Sequence, residues 1–295
     1  MIKKTAKWIL GFFMPKYRLP WAPGLIAIDD EVSRKTLMLT WRPDSMMETQ
    51  IFRYGLYGAW ERHSLRIWAH VSANAREILD IGANTGIYSL LARKNNSQAT
   101  ILAVEPIPVN ADVLQANIDA NSARVIVERI AMSDTDGVAV MYMLKEQLNY
   151  MTSINDDRYA AHPEIVGNAE VVPISVPIGT WSGLQEKYSL AGPDLIKIDV
   201  EGHEVSVLRS LQEHIKQRRP TILLEIIGAE NSVNINEMFR GLDYVFISID
   251  ENACRATVVD AMWDNDHQNF LICDRAVAFG LASKGLVQGY KDAAA

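Results

Sequence analysis

The chain has 295 residues, 48% hydrophobic and 22% charged, with a net charge of -7 and a pI near 5.4. That composition supports one large core or two modest ones, and its acidic balance excludes the basic footprint of duplex nucleic-acid binders. Cys254 and Cys273 form no CxxC and no spaced cluster, so neither a disulfide framework nor a zinc site is indicated, and a reducing compartment is expected.

The first fourteen residues, MIKKTAKWILGFFM, centre Ile2, Ala6, Ile9 and Phe13 on an apolar helical arc, with Lys3, Lys4 and Lys7 on the opposite side. The apolar part is too short to span a bilayer, and no small-x-small cleavage site follows. Two readings stay open: a helix docked on its own domain with its lysines in water, or a weak membrane-surface contact through residues 1–14. The expected location is cytoplasmic, peripheral at the inner membrane surface on the second reading. Residues 15–45 contain Pro15, Pro20, Pro23 and Pro43 and read as an irregular lead-in with short strands in GLIAI and KTLMLTW. The chain therefore divides into an extension over residues 1–54 and a main domain over residues 55–295.

From Arg76 the pattern becomes regular: REILDIG, GIYSLLARK, TILAVEP, VNADVLQANIDAN and RVIVERIAM alternate strand and helix in the βαβ rhythm of a parallel sheet. GVAVMYML reads as hairpin-like, and residues 145–170 read as a long loop over one edge of the fold. That loop carries Asn149, Tyr150, Thr152, Ser153 and Tyr159, suited to bond and stack on a sugar, so a lid is expected. DLIKIDV, a helix to Arg219, PTILLEI, a helix near NINEMFRGL, YVFISID and QNFLICD complete the alternation.

The strongest chemical signal is the strand-to-helix turn ILDIGANTGIYSLLA. Gly82, Ala83, Asn84, Thr85 and Gly86 let a ligand approach the backbone, because the glycines lack Cβ and Asn tolerates a left-handed conformation. Asp80, just before the turn, is placed to receive a cationic amine. Nineteen residues after Gly86, Glu105 ends the next strand ahead of Pro106, where an acid grips a ribose in nucleotide-binding sheets. A nicotinamide dinucleotide and S-adenosylmethionine both use that pairing. The dinucleotide needs G-x-G-x-x-G for its pyrophosphate, whereas the pattern here is G-x-N-x-G, and S-adenosylmethionine has no phosphate. A tight turn without any ligand is the plainer alternative.

Together with VEPIPVN, ERIAMSDTDG, TSI, DLIKIDVEGHE and PTILLEI, this turn resembles the FkbM-type family of class I S-adenosylmethionine-dependent methyltransferases, in order over roughly residues 55–275. The resemblance implies a three-layer α/β Rossmann-like fold, with a seven-stranded, mostly parallel sheet whose last strand is antiparallel. It implies O-methylation of a sugar, polyketide or other hydroxyl, with Gly82, Asn84 and Gly86 lining the cofactor and Glu105 holding its ribose. Ala131 to Asp134, including Ser133, would lie by the adenine. The chain departs from the family at IGTW, where an Asp-containing LD is usual, and at Arg209 and Ser210, where a Gly is usual; the first departure bears on the substrate side.

The acids of DLIKIDVEGHEVSVLRS find their reason in this architecture: Asp199 ends the fourth strand, beside the transferable methyl. If the helix starts near Glu201, Glu201 and Glu204 share the face of Val205, Leu208 and Ile215, and His203 falls opposite, with Ser210 and His214. Asp199, Glu201, Glu204 and His203 are the candidate catalytic residues, although the wheel argues against His203 as general base. The glutamates also suit a helix N-terminus. No metal is expected, with a divalent cation bridging Asp199 and Glu225 to a vicinal diol as the competing mechanism. The expected partner is a small-molecule or glycan acceptor, not nucleic acid. A nicotinamide oxidoreductase and a non-catalytic binding module are the rival classes; the first needs a turn the sequence lacks, and the second would be expected to lose Asp80, Glu105 or Asp199.

Overall fold

The computed structural model describes residues 23–58, 60–145, 170–263 and 269–290. The sequence-predicted amphipathic helix over residues 1–14 and most of the predicted lid, residues 146–169, lie outside them. A hairpin opens the described chain, β1 (Gly24–Asp30) with β2 (Lys35–Trp41), followed by α1 (Met46–Tyr54) and α2 (Arg62–Val71). Next come β3 (Glu77–Ile81), α3 (Ile87–Asn95), β4 (Thr100–Val104), α4 (Pro108–Ala120), β5 (Ile126–Glu128) and β6 (Ala131–Met132). After β7 (Gly137–Leu144) and β8 (Val171–Gly179) stand α5 (Trp181–Tyr188), β9 (Leu195–Ile198), α6 (Glu204–Arg218) and β10 (Thr221–Glu225). The chain ends with α7 (Ala229–Phe239), β11 (Val245–Asp250), β12 (Arg255–Val259), β13 (Asn269–Cys273) and α8 (Arg275–Ser283). Among the described residues, no helix is long and apolar enough to cross a membrane.

The main sheet has the order β12-β11-β13-β10-β9-β3-β4-β5, the mostly parallel α/β arrangement that the resemblance implies. Strands β5, β4, β3, β9 and β10 pair in parallel, and β13 inserts antiparallel between β10 and β11. Short apolar runs explain the buried strands: all four residues of β9 and all five of β13 are buried, as a sheet covered on both faces requires. The seven expected strands are present, and β12 adds an eighth at the edge, antiparallel to β11. The order turns back between β3 and β9, which opens a crevice at their carboxyl ends.

A second sheet, β6-β8-β7, stands beside the first. Strand β8 is absent from the sequence reading because Pro173 and Pro177 interrupt it. Proline is tolerated where an N–H has no ladder partner, and β6 pairs only with Ile178 and Gly179, leaving the rest of that edge of β8 without a paired strand among the described residues. The expected division at residue 54 separates no core. Ile26, Leu37, Leu39 and Ile51 pack in one cluster with Ile78, Leu90, Ile101 and Leu271. Asn117 of α4 stitches the extension to the domain, accepting from Thr40 N at 2.6 Å while donating to Thr85 O at 2.8 Å. Being fully buried, it satisfies two backbone groups that burial would otherwise leave costly.

Candidate active site

The turn after β3 is built by close backbone contact. Gly82 has φ +73°, and a Cβ there would stand 1.7 Å from Asp199 O, so the ends of β3 and β9 meet only because this residue is glycine. Gly82 N and Ala83 N both donate to Val104 O at 3.0 Å, which ties the turn to β4. Asn84 follows with φ +50° and donates its backbone N–H to Glu105 Oε2 at 2.8 Å. Gly86, at φ +89°, precedes α3 and packs against Leu114 of α4.

Glu105 is the pivot of a first cavity. Its Oε1 accepts from Ile107 N at 2.9 Å, so each carboxylate oxygen already holds one backbone donor. Burial pushes this carboxyl up to about 7, against the pull of those two N–H groups. Gly82, Asn84, Glu105, Pro106, Ala131 and His203 line this cavity, with Asp199 and Glu201 at its rim. Ser133 and Asp134 stand behind the wall: Ser133 Oγ lies 3.0 Å from His203 Nε2, and Asp134 is 3.9 Å from Arg209. Of the apolar walls, Met132 falls within the stretch expected by the adenine, whereas Ile107, Ile130 and Met141 escaped the sequence reading because ordinary core residues carry no chemical signal.

Asp80 is a correction. It lines neither this cavity nor the next; it is fully buried, accepts from Ser89 Oγ at 2.6 Å, and has its other oxygen 4.0 Å from Lys197 Nζ. Strand alternation is the reason: Leu79 and Ile81 face one layer, while Asp80 shares the opposite face with Ile78, toward α3. Burial raises its carboxyl above the ordinary range. Thr85 is also turned away from the first cavity, donating Oγ1 to Glu48 Oε1 of α1 at 2.6 Å.

A second cavity shares Asn84, Asp199 and Glu201 with the first. Ala83, Thr85, Tyr88, Lys197 and Glu225 line it together with Met46, Met47, Trp60 and Glu61 from the chain before β3. Lys197 Nζ sits 3.0 Å from Asp199 Oδ2, 3.3 Å from Gly82 O and 4.9 Å from the centre of the Tyr88 ring. Burial works against its charge, but Asp199, Asp80 and Glu61 hold its pKa above the ordinary lysine value. Asp199, Glu201 and Glu225 can each bring a carboxylate oxygen within 4.8 Å of the others, a donor set that suits a hard cation. Burial first, then the charges of Asp199 and Glu201 and a hydrogen bond with Asp199, pushes Glu225 well above the carboxylate range. Glu61 is pushed up to about 7 by burial and by Asp199, and its Oε2 accepts from Tyr88 OH at 2.7 Å.

The expected start of α6 near Glu201 is also corrected. The helix begins at Glu204, and Glu201 lies in the preceding turn with φ +56°, so the wheel does not govern it. Glu201 borders both cavities; Glu204 borders neither, its carboxylate accepting from Gly202 N at 2.7 Å and Asn231 Nδ2 at 3.2 Å. His203, placed by the wheel with Ser210 and His214, instead lines the first cavity and not the second. Burial lowers its pKa. Ser210 accepts from Trp181 N and His214 bonds Pro193 O, both away from the site. Glu61 and Lys197 were missed: the only sequence signal for Lys197 was a charge inside a buried strand, and Glu61 had none.

The family described as "Methyltransferase FkbM domain" matches residues 80–246. Over 156 residues, 46% of this chain, the sequence is 29% identical to "Methyltransferase sdnD" of Sordaria araneosa. It is 26% identical over 155 residues, 51% of the chain, to "Hexuronic acid methyltransferase AglP" of Haloferax volcanii, and 24% identical over 192 residues, 58% of the chain, to "31-O-demethyl-FK506 methyltransferase FkbM" of Streptomyces tacrolimicus. The matches cover 60%, 56% and 73% of those proteins, so the chain spans less than two thirds of the first two.

Proposed function

The chain belongs to the FkbM methyltransferase family, whose cofactor is S-adenosylmethionine, and from that premise we propose that it O-methylates a hydroxyl of a sugar, glycan, lipid-linked or polyketide-type acceptor. The observation that carries this reading is the shared wall: the cavity holding Glu105 and the cavity holding Trp60 and Glu225 have Asn84, Asp199 and Glu201 in common. A donor in one and an acceptor in the other would meet there. The relatives named for a hexuronic acid and for 31-O-demethyl-FK506 support a hydroxyl-bearing small molecule. The net charge of -7 supports an acceptor other than nucleic acid.

The residues fit the cofactor. A glycine is required where β3 meets β9, and Glu105 retains lone pairs for two ribose hydroxyls beside its two backbone donors. Ile130, Met132 and Met141 offer apolar walls to an adenine, near Ala131. When bound, S-adenosylmethionine supplies an electrophilic methyl group on a sulfonium. Asp199 Oδ, oriented by Lys197, then accepts the hydrogen bond of the acceptor hydroxyl and shares its proton as the oxygen is alkylated. Trp60 gives the acceptor a ring face. For an acceptor on a lipid, residues 1–14 would hold the chain at an anionic surface, which vesicle co-sedimentation at low salt measures.

The test is calorimetric titration with S-adenosylmethionine and with NAD side by side, followed by labelled-methyl transfer to a panel of sugars, polyols and transfer RNA. Binding of the first cofactor alone and label in a base-stable ether on a sugar or polyol are expected. Label in RNA, or binding of NAD alone, would refute the reading.

A further inference from the structure

We propose that Glu61 receives the α-ammonium group of S-adenosylmethionine, the part that the sequence pattern offers to Asp80. The inference rests on the cofactor assignment above and deepens it. With the ribose at Glu105 and the adenine between the walls near Ala131, the amino-acid end passes Asn84 into the edge of the second cavity, which it shares with the acceptor. That cavity must then supply a partner for a cationic amine carrying three donors.

The acids around it are not equivalent. Asp80 is sealed beneath the sheet end against Ser89. Asp199 is paired with Lys197 at 3.0 Å, Glu225 lies against Asp199 with its carboxyl pushed up by burial and by the charges of Asp199 and Glu201, and Glu201 stands at the wall the two cavities share. Glu61 faces the cavity beside the first turn of α3, where Tyr88 OH holds its Oε2 at 2.7 Å and Asn269 Nδ2 lies 3.4 Å from Oε1. Two donors leave a carboxylate with lone pairs to spare.

Its position is also built at a cost. Glu61 takes the left-handed conformation, φ 38° and ψ 38°, which a residue with a side chain adopts only when its surroundings impose it. Those surroundings come from the β11–β12 turn: the Glu251 carboxylate accepts from His63 N at 2.7 Å and Ser64 N at 3.0 Å, and Arg62 Nε donates to Glu251 O at 2.6 Å. Strain of this kind gathers at ligand clamps.

The test compares three ligands by calorimetry on the full chain: S-adenosylmethionine, S-adenosylhomocysteine and 5′-methylthioadenosine, which lacks the amino-acid end. Glu61→Gln is expected to weaken the first two by tenfold or more and to leave the third within twofold. Tyr88→Phe, which removes only the hydroxyl that orients Glu61, should give the same pattern at smaller size. Unchanged affinity for the first two would overturn the proposal and return Glu61 to the acceptor or to the fold. Equal losses for all three would overturn it as well. If the wild-type chain binds 5′-methylthioadenosine and not S-adenosylmethionine, the cofactor assignment itself falls, a result distinct from any change confined to the variants.

Discussion

Glu105 is buried and Glu61 half-buried, both pushed up to about 7, yet the molecule holds them by different means. Glu105 rests on the backbone: both oxygens accept N–H groups, from Asn84 and Ile107, supplied by the turns that end β3 and β4. Glu61 rests on side chains brought from far along the chain, Tyr88 and Asn269, inside a set of charges that only Lys197 balances among the residues lining that cavity. Backbone donors survive most substitutions, whereas a charge balance fails when one member is removed. The side proposed for the nucleoside should therefore be robust, and the side proposed for the amino-acid end and the acceptor brittle.

Lys197→Met tests the brittle side most severely. It leaves Asp80 and Asp199 without their cation, and a cost of about 3–5 kcal/mol in urea unfolding is expected for an uncompensated buried charge. A loss below about 1 kcal/mol would break the comparison. Asp199→Asn should follow, with turnover of an identified acceptor falling at least a hundredfold, about 2.7 kcal/mol, while cofactor affinity stays within severalfold. Equal losses in both would make Asp199 a cofactor ligand.

On the robust side, Glu105→Ala should weaken S-adenosylmethionine by more than tenfold, about 1.4 kcal/mol. Unchanged affinity in a folded variant would remove the ribose assignment. The pH dependence sharpens the same point. Because the folded pKa of Glu105 is raised, its contribution to stability is fully present below the ordinary carboxylate range and fades as pH rises through about 7. Binding runs the other way: cofactor affinity should fall as pH drops below about 7, and Glu105→Gln should flatten that part of the profile. The smallest effect expected is that of a chelator. With Asp199 already paired to Lys197, removal of divalent cations should change turnover less than twofold, and a larger loss would assign Asp199, Glu201 and Glu225 to a metal.

Sequence alone determined the parts whose signal is local. Apolar runs bounded by glycine gave the parallel strands and their helices, and the spacing from Gly82 through Asn84 to Glu105 gave the turn and the acid that meet at the first cavity, because a turn and the next strand end lie within one βαβ unit. The acid at Asp199 was legible too, since charge at the end of a buried strand needs a reason. Tertiary structure decided the rest. Which face of β3 Asp80 occupies follows from strand register and layer, and a residue letter carries neither. The left-handed turn at Glu201 moved the start of α6 and with it every wheel position assigned from a start at Glu201. Glu61 became part of the site only because β11, β12 and α3, remote from it in sequence, close around it; such long-range pairings leave no periodic trace in the stretch they position.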